Sequence, residues 1–156
     1  IFGALGMKIC PFHVEFKIMD GRLEIIELHS RFGGDFITKL IEYSSGNKVF
    51  LEYAEFLCYG NIPCVVRAGA DVTAVKFSTV SAGRITSVSP LNNDFIGTLL
   101  EHKIAVKEGD IINPATGYYD RPAYFISKFK NSNEEMVFQT AFKQFKILTS
   151  EICLHE

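Results

Sequence analysis

Two glutamates stand where hydrophobic residues dominate. Glu15 lies within His13-Val14-Glu15-Phe16-Lys17-Ile18, and Glu27 within Leu23-Glu24-Ile25-Ile26-Glu27-Leu28. Two close carboxylates repel unless something cationic sits between them. A divalent metal is the common answer, with Mg2+ preferred by an all-oxygen site that also holds phosphate. Arg31 and the turn Gly33-Gly34-Asp35 follow directly. Arginine grips carboxylate or phosphate with a bidentate fork, paired glycines let the backbone approach a ligand, and the N-terminus of a following helix favours an anion. A metal and phosphate site is one reading of this set. The other is plainer: Glu15 pairs with Lys17 or Arg22, Glu27 faces solvent at a strand end, and the glycines make an ordinary strand-to-helix turn.

The elements that must position these residues are two strands and a helix. From Phe12 the pattern has period two, with Phe12, Val14, Phe16 and Ile18 on one face and His13, Glu15, Lys17 and Met19 on the other. Asp20-Gly21 marks the turn into a second strand. A two-residue loop there would pair Met19 with Arg22 and place Glu15 and Glu27 on opposite faces. A three-residue loop, Met19-Asp20-Gly21, places both on the same face. It also gathers Phe12, Val14, Phe16, Ile18, Ile26 and Leu28 on one core face and leaves His13, Glu15, Lys17, Glu27 and His29 on the other. We therefore expect the three-residue loop, because burying a complete apolar face is worth about 25 cal/mol per Å². His13 shares Glu15's face and is within reach of the site in this register, but we read it as a satisfied structural histidine. The helix that follows should span residues 35–44, with Asp35 as its N-cap and Phe36, Ile37, Leu40 and Ile41 on one side.

Composition narrows the function classes. The chain has 156 residues, 47% hydrophobic and 22% charged, with a net charge of -2. That is enough for one ordinary domain or two small ones with a real core, and neither a disordered chain nor a polyanion binder. The 16 basic residues are scattered rather than clustered, so nucleic acid is not an expected partner. No run approaches a membrane span and no leader pattern opens the chain. Cys10, Cys58, Cys64 and Cys153 lack Cys-x-x-Cys spacing and read as free, mostly buried thiols of a cytoplasmic protein. Neither a Walker A nor a Gly-x-Gly-x-x-Gly pattern occurs. The chain opens on Ile1-Phe2-Gly3, as though cut from something longer, or else processed or freed from a tag.

Around this centre the remaining segments read as follows. Residues 1–8 suggest the last turns of a helix ended before Pro11. Residues 48–59 form a second helix and 62–71 a linker. Strands are expected at 73–80, 83–89, 103–107 and 121–129, with a short helix or turn at 92–102 and a turn at Glu108-Gly109-Asp110. Ser132-Asn133-Glu134-Glu135 reads as a capping box for a last helix lined by Met136, Val137, Phe138, Ala141, Phe142 and Phe145. Tyr118-Tyr119-Asp120-Arg121 reads as an exposed loop rather than a lid.

Phe12-His13-Val14-Glu15-Phe16, followed by Ile26-Glu27-Leu28-His29-Ser30-Arg31-Phe32-Gly33-Gly34-Asp35-Phe36-Ile37, resembles the carboxyl-terminal metal-binding portion of the ATP-grasp superfamily. More narrowly it resembles the carboxylate-amine ligases allied to L-amino-acid ligases, biotin carboxylase and carbamoyl-phosphate synthase. Ala74-Val75-Lys76-Phe77, Ala82-Gly83-Arg84-Ile85 and Val106-Lys107-Glu108-Gly109-Asp110 resemble the small subdomain that ends these enzymes. The resemblance implies an α+β chain: residues 1–60 the carboxyl-terminal part of an ATP-grasp lobe, antiparallel strands with packed helices, and residues 61–156 a small carboxyl-terminal α/β subdomain with antiparallel strands.

The same resemblance implies that Glu15 and Glu27 hold the Mg2+ ions that bridge ATP phosphates. His29 stands where the family often has an Asn completing the metal shell. Arg31 is implied to contact the acyl phosphate or the substrate carboxylate, while Gly33 and Gly34 border the amine pocket. The implied activity is ATP-dependent formation of an amide or peptide bond, with a small carboxylate and an amine as substrates. The amino-terminal domain, the Gly-rich loop and the phosphate-binding lysines of the family have no counterpart here, so these 156 residues alone are expected to be inactive. They would be completed by the missing part of the enzyme or by a partner chain, and self-association is an open alternative. A non-catalytic α+β interaction module or degenerate remnant is the competing expectation.

Overall fold

The computed structural model describes residues 3–6, 9–61, 71–90, 98–113, 121–142 and 145–150. The chain divides into two compact units, Ile1–Glu42 with Gly46–Arg67, and Tyr43–Ser45 with Ala68–Glu156. All strand pairing is antiparallel. The result is a mixed α+β architecture.

Of residues 1–8, where a helix end is expected, the described residues 3–6 hold a single 3-10 turn, Gly3–Leu5, and the rest lie outside the described residues. Strand β1, His13–Met19, pairs with β2, Arg22–His29. Met19 faces Arg22 across a two-residue turn in which Asp20 and Gly21 both have positive φ, 51° and 74°. That combination belongs to a type I′ turn, whose twist matches the strands it joins. The expected three-residue loop is therefore wrong. The two carboxylates nevertheless share a face, because the register shifts between Glu15 and Phe16: Glu15 opposes Glu27 while Phe16 opposes Ile25. Ile26 is the extra residue of a β-bulge, and a bulge reverses the facing of everything beyond it.

One face of the hairpin thus carries Val14 and Leu28, Phe16 and Ile25, Ile18 and Leu23. It is the apolar face expected from the sequence, with Leu23 and Ile25 in place of Ile26. Helix α1, Ile37–Ser45, follows, and then α2, Val49–Tyr59. Both end on a glycine in the left-handed region, Gly46 and Gly60, whose N–H donates to the carbonyls of Glu42 and Phe56. Phe32 packs edge-on against Phe50 and Tyr53, with ring centroids at 4.6 and 5.6 Å. No residue of this unit reaches full burial among those described.

Among its described residues the second unit holds two three-stranded sheets and a helix. In one sheet β3 (Val72–Ser78) and β5 (Thr98–Ile104) flank β7 (Ala123–Phe129); in the other β6 (Ile111–Ile112) and β8 (Ile147–Ser150) flank β4 (Gly83–Val88). Residues 98–102, expected in a helix or turn, are strand, because their backbone pairs with β7 from Thr98 to Ile104. β6 and β8 were not foreseen; both are short and gain their identity only from β4.

Helix α3, Ser132–Phe142, is capped one residue earlier than expected. Asn131 Oδ1 accepts from the backbone N–H of Asn133 and Glu134, while Glu134 reaches back to the N–H of Lys130. Of the side chains expected to line this helix, Phe138 and Phe142 are buried but Met136 is exposed; Phe145 is buried beyond the helix end. Ile85, Ala123, Phe125, Phe129, Phe138, Phe142, Phe145 and Ile147 form one core. Phe125 meets Phe142 and Phe145 edge-on at 4.9 and 5.0 Å, a favoured aromatic geometry. The linker at 62–70 and the loop at 114–120 lie outside the described residues, as do Cys64 and Cys153. Cys58 is exposed and Cys10 half-buried, both free, which corrects the expectation of buried thiols.

Candidate functional site

The bulge at Ile26 decides what the polar face of the hairpin presents. Beyond it, two successive cross-strand pairs on that face are Glu15 with Glu27 and His13 with His29; on the turn side come Lys17 with Glu24 and Met19 with Arg22. Residues directly opposite in an antiparallel pair have Cβ atoms about 4.5–5.5 Å apart, so the two carboxylates start from adjacent positions. His29 Nε2 lies 2.8 Å from Glu27 Oε1. The rings of His13 and His29 lie 6.2 Å apart, inclined by 31°. Glu15 makes no ion pair with Lys17 or Arg22 among the described residues, and Lys17 faces Glu24 instead. The buried Nδ1 of His13 has no hydrogen-bond partner among the described residues, which is not how a satisfied structural histidine behaves.

Arg31 is exposed just after β2, its Nη1 donating to the carbonyl oxygen of Phe32 at 3.0 Å. The turn that follows has a specific shape. A Cβ on Gly33 would stand 3.0 Å from side-chain atoms of Ile37, whereas one on Gly34 would meet nothing within 4 Å. Packing therefore accounts for glycine at 33 but not at 34. Asp35 and Phe36 both take positive φ, 49° and 67°, so the helix starts two residues later than expected, with Phe36 rather than Asp35 at the N-cap position and no side-chain cap. Lys39 Nζ sits 5.7 Å from the centroid of the Phe36 ring. Consecutive left-handed non-glycine residues are strained, a state that persists only where surroundings impose it.

The donor set can be tested against a metal. Two carboxylates on facing positions suit a hard divalent ion whose remaining positions are filled by phosphate oxygens and water, since Mg2+ commonly takes only one or two carboxylates from protein. The pair Glu15 and Glu27 meets that requirement. Among the described residues no group of three or more His, Cys, Asp or Glu side chains stands ready around one ion. The two glutamates were visible from their positions among apolar residues. The bulge that unites them was missed, although the break in alternation at Ile25-Ile26 is its signal.

No protein-family model and no curated protein sequence matches the chain. Solved structures do. The chain is similar to phosphoribosylglycinamide synthetase from Anaerococcus prevotii, with a TM-score of 0.70 and 18% identity over 96% of this chain and 39% of that one. It is also similar to L-amino acid ligase from Bacillus licheniformis, with a TM-score of 0.73 and 15% identity over 96% of this chain and 38% of that one. The chain thus spans about two fifths of the length of either structure. No helix among the described residues is long and apolar enough to cross a membrane. The likeness is one of fold, and the chain carries part of the ATP-grasp fold.

Proposed function

We propose that this chain provides the metal and phosphate half-site of a cytoplasmic ATP-dependent carboxylate-amine ligase, with residues 1–60 belonging to the ATP-grasp lobe and 61–156 to its carboxyl-terminal subdomain. The observation that carries the reading is the direct cross-strand pairing of Glu15 with Glu27 on the polar face of the hairpin. These two carboxylates would hold Mg2+, with His29 beside Glu27 as the third donor. The ion supplies charge neutralisation and Lewis-acid polarisation of ATP phosphate oxygens. The backbone at Gly34, which packing leaves open, admits a ligand close to the chain. Arg31 leaves its contact with Phe32 to bind the acyl phosphate or the acid.

In the reaction, the substrate carboxylate takes the γ-phosphoryl group of ATP and releases ADP. The amine nitrogen then attacks the carbonyl carbon, loses a proton, and expels phosphate to leave an amide. Most of the rate advantage comes from holding charged reactants in line. The bare apolar face of the hairpin supports a further part of the reading: the rest of the enzyme, in the same polypeptide or in a partner, covers it. The chain alone is accordingly inactive.

The decisive experiment substitutes Glu15→Gln and Glu27→Gln in the full polypeptide or assembly that contains this chain. Mg2+-dependent ADP release should fall by at least about 10²-fold, the scale of losing a group that stabilises transition-state charge, with the circular dichroism spectrum unchanged. Unchanged ADP release would favour the second reading, an α+β interaction module without catalysis. The uncovered first unit fits either reading, since it buries none of its described residues fully.

A further inference from the structure

The two edges of the hairpin are not alike. β2 carries the bulge at Ile26, whereas β1 runs as seven regular residues, His13–Met19, whose outer edge has no strand partner among the described residues. A bulge blunts an edge against further pairing, and a regular edge invites it. A two-stranded ribbon is also marginal in water by itself, and an added strand brings both backbone hydrogen bonds and side-chain contacts. We propose that β1 pairs antiparallel with β1 of a second copy of this chain, about a two-fold axis at Phe16, joining two hairpins into one four-stranded sheet.

The order of side chains along β1 is what selects a second copy. A two-fold pairing centred on Phe16, the midpoint of the strand, engages all seven residues. It sets Glu15 opposite Lys17 of the second copy, and Lys17 opposite that copy's Glu15. Val14 meets Ile18, His13 meets Met19, and Phe16 meets its own counterpart. Directly opposite residues share a face, so the two apolar faces become one and the charges meet on the other. Moving the axis by one residue in either direction sets Glu15 against Glu15 or Lys17 against Lys17, and like charges directly opposite are destabilising. β2 offers no equivalent, since pairing it with itself about its midpoint opposes Glu24 to Glu27. A lysine on an edge strand ordinarily discourages pairing, but here each one is matched by a carboxylate.

The surroundings of β1 agree with this. Phe16, Ile18 and Met19 are 49%, 72% and 53% exposed, and Glu15 and Lys17 are exposed as well. Within one chain Glu15 opposes Glu27 and Lys17 opposes Glu24. Across the four strands the charged row therefore runs Glu27, Glu15, Lys17, Glu24, and the lysine offsets the repulsion between the first two. A carboxylate has two oxygens, so a lysine beside Glu15 does not bar an ion from its other side. The inference concerns the edge of the hairpin and stands whether or not the ligase reading does.

The test is analytical ultracentrifugation of the whole 156-residue chain over a concentration series reaching about 1 mM, the weak end of specific association. A species of twice the 17.5 kDa chain mass is expected. Lys17→Glu should weaken dimerisation by at least about 10-fold, because it turns both charge pairs repulsive; adding Glu15→Lys to it restores opposite charges and should recover the dimer. The register is read separately by mild oxidation of Phe16→Cys in a chain whose native cysteines are replaced by serine. Identical positions meet only at the axis, so a disulfide-linked dimer should form from Phe16→Cys and not from Met19→Cys. A chain that stays monomeric throughout the series, assembly that continues past a dimer, undiminished dimerisation of Lys17→Glu, or equal cross-linking at both positions would overturn the proposal.

Discussion

The two units of this chain reach opposite solutions to the same problem of burying apolar surface. In the second, β7 is flanked on both edges, and Phe125, Phe129, Phe138 and Phe142 pack within one core, Phe125 being fully buried. In the first, the hairpin has its apolar residues just as neatly sorted onto one face, yet Ile18 is 72% exposed, Leu23 60% and Phe16 49%. Each such side chain forgoes a good part of the about 1.5–3 kcal/mol that full burial would contribute. Sorting without burial leaves the first unit with an exposed apolar patch, the kind of surface that commonly serves as an interaction site. The polar face of the same hairpin, by contrast, needs only cross-strand pairing to set Glu15 opposite Glu27 and His13 opposite His29.

This contrast can be broken by substitution. The largest effect belongs to the second unit: Phe125→Ala should cost about 3–5 kcal/mol in denaturant unfolding, since it removes the ring on which Phe142 and Phe145 close. A loss below 1 kcal/mol would mean that this core is not the stabilising one. Next comes Gly83→Ala in β4. Gly83 has φ 148°, and a Cβ there would collide with the carbonyl oxygen of Ser150. A destabilisation of about 1–3 kcal/mol is expected, read by thermal melting. The smallest effect is the most informative. Ile18→Ser on the bare hairpin face should change the stability of the chain by no more than about 0.5 kcal/mol, as for an ordinary surface position. In the polypeptide or assembly that covers this face it should cost several times as much. Equal and large losses in both settings would show that the face is already covered within the chain.

Much of this architecture was legible before the fold. The Asp20-Gly21 turn, the two strands around it and helix α2 follow from local pattern and turn chemistry, which act within a few residues. So does the placing of Glu15 and Glu27 on one face, although the route was wrong: the sequence was read as a longer loop, when a tight turn followed by a bulge does the same work. Beyond the bulge the two devices have equal parity; between the turn and the bulge they face Leu23, Glu24 and Ile25 oppositely, and cross-strand hydrogen bonding tells them apart. Asp35 was a reasonable N-cap by residue type, but the left-handed backbone at Asp35 and Phe36 moves the helix start to Ile37. Nothing in a phenylalanine announces positive φ.

What the amino-acid order determined by itself is therefore the hairpin and its two chemically distinct faces, with Glu15 and Glu27 together on one, because period-two alternation and turn chemistry are properties of a short stretch of chain. Tertiary structure decided the rest. Residues 98–104 became strand because β7 offered them partners, and β6 and β8 exist only beside β4. It also decided that one unit would have a buried aromatic core and the other none among its described residues, since burial depends on what lies opposite a face and that is set by distant parts of the chain.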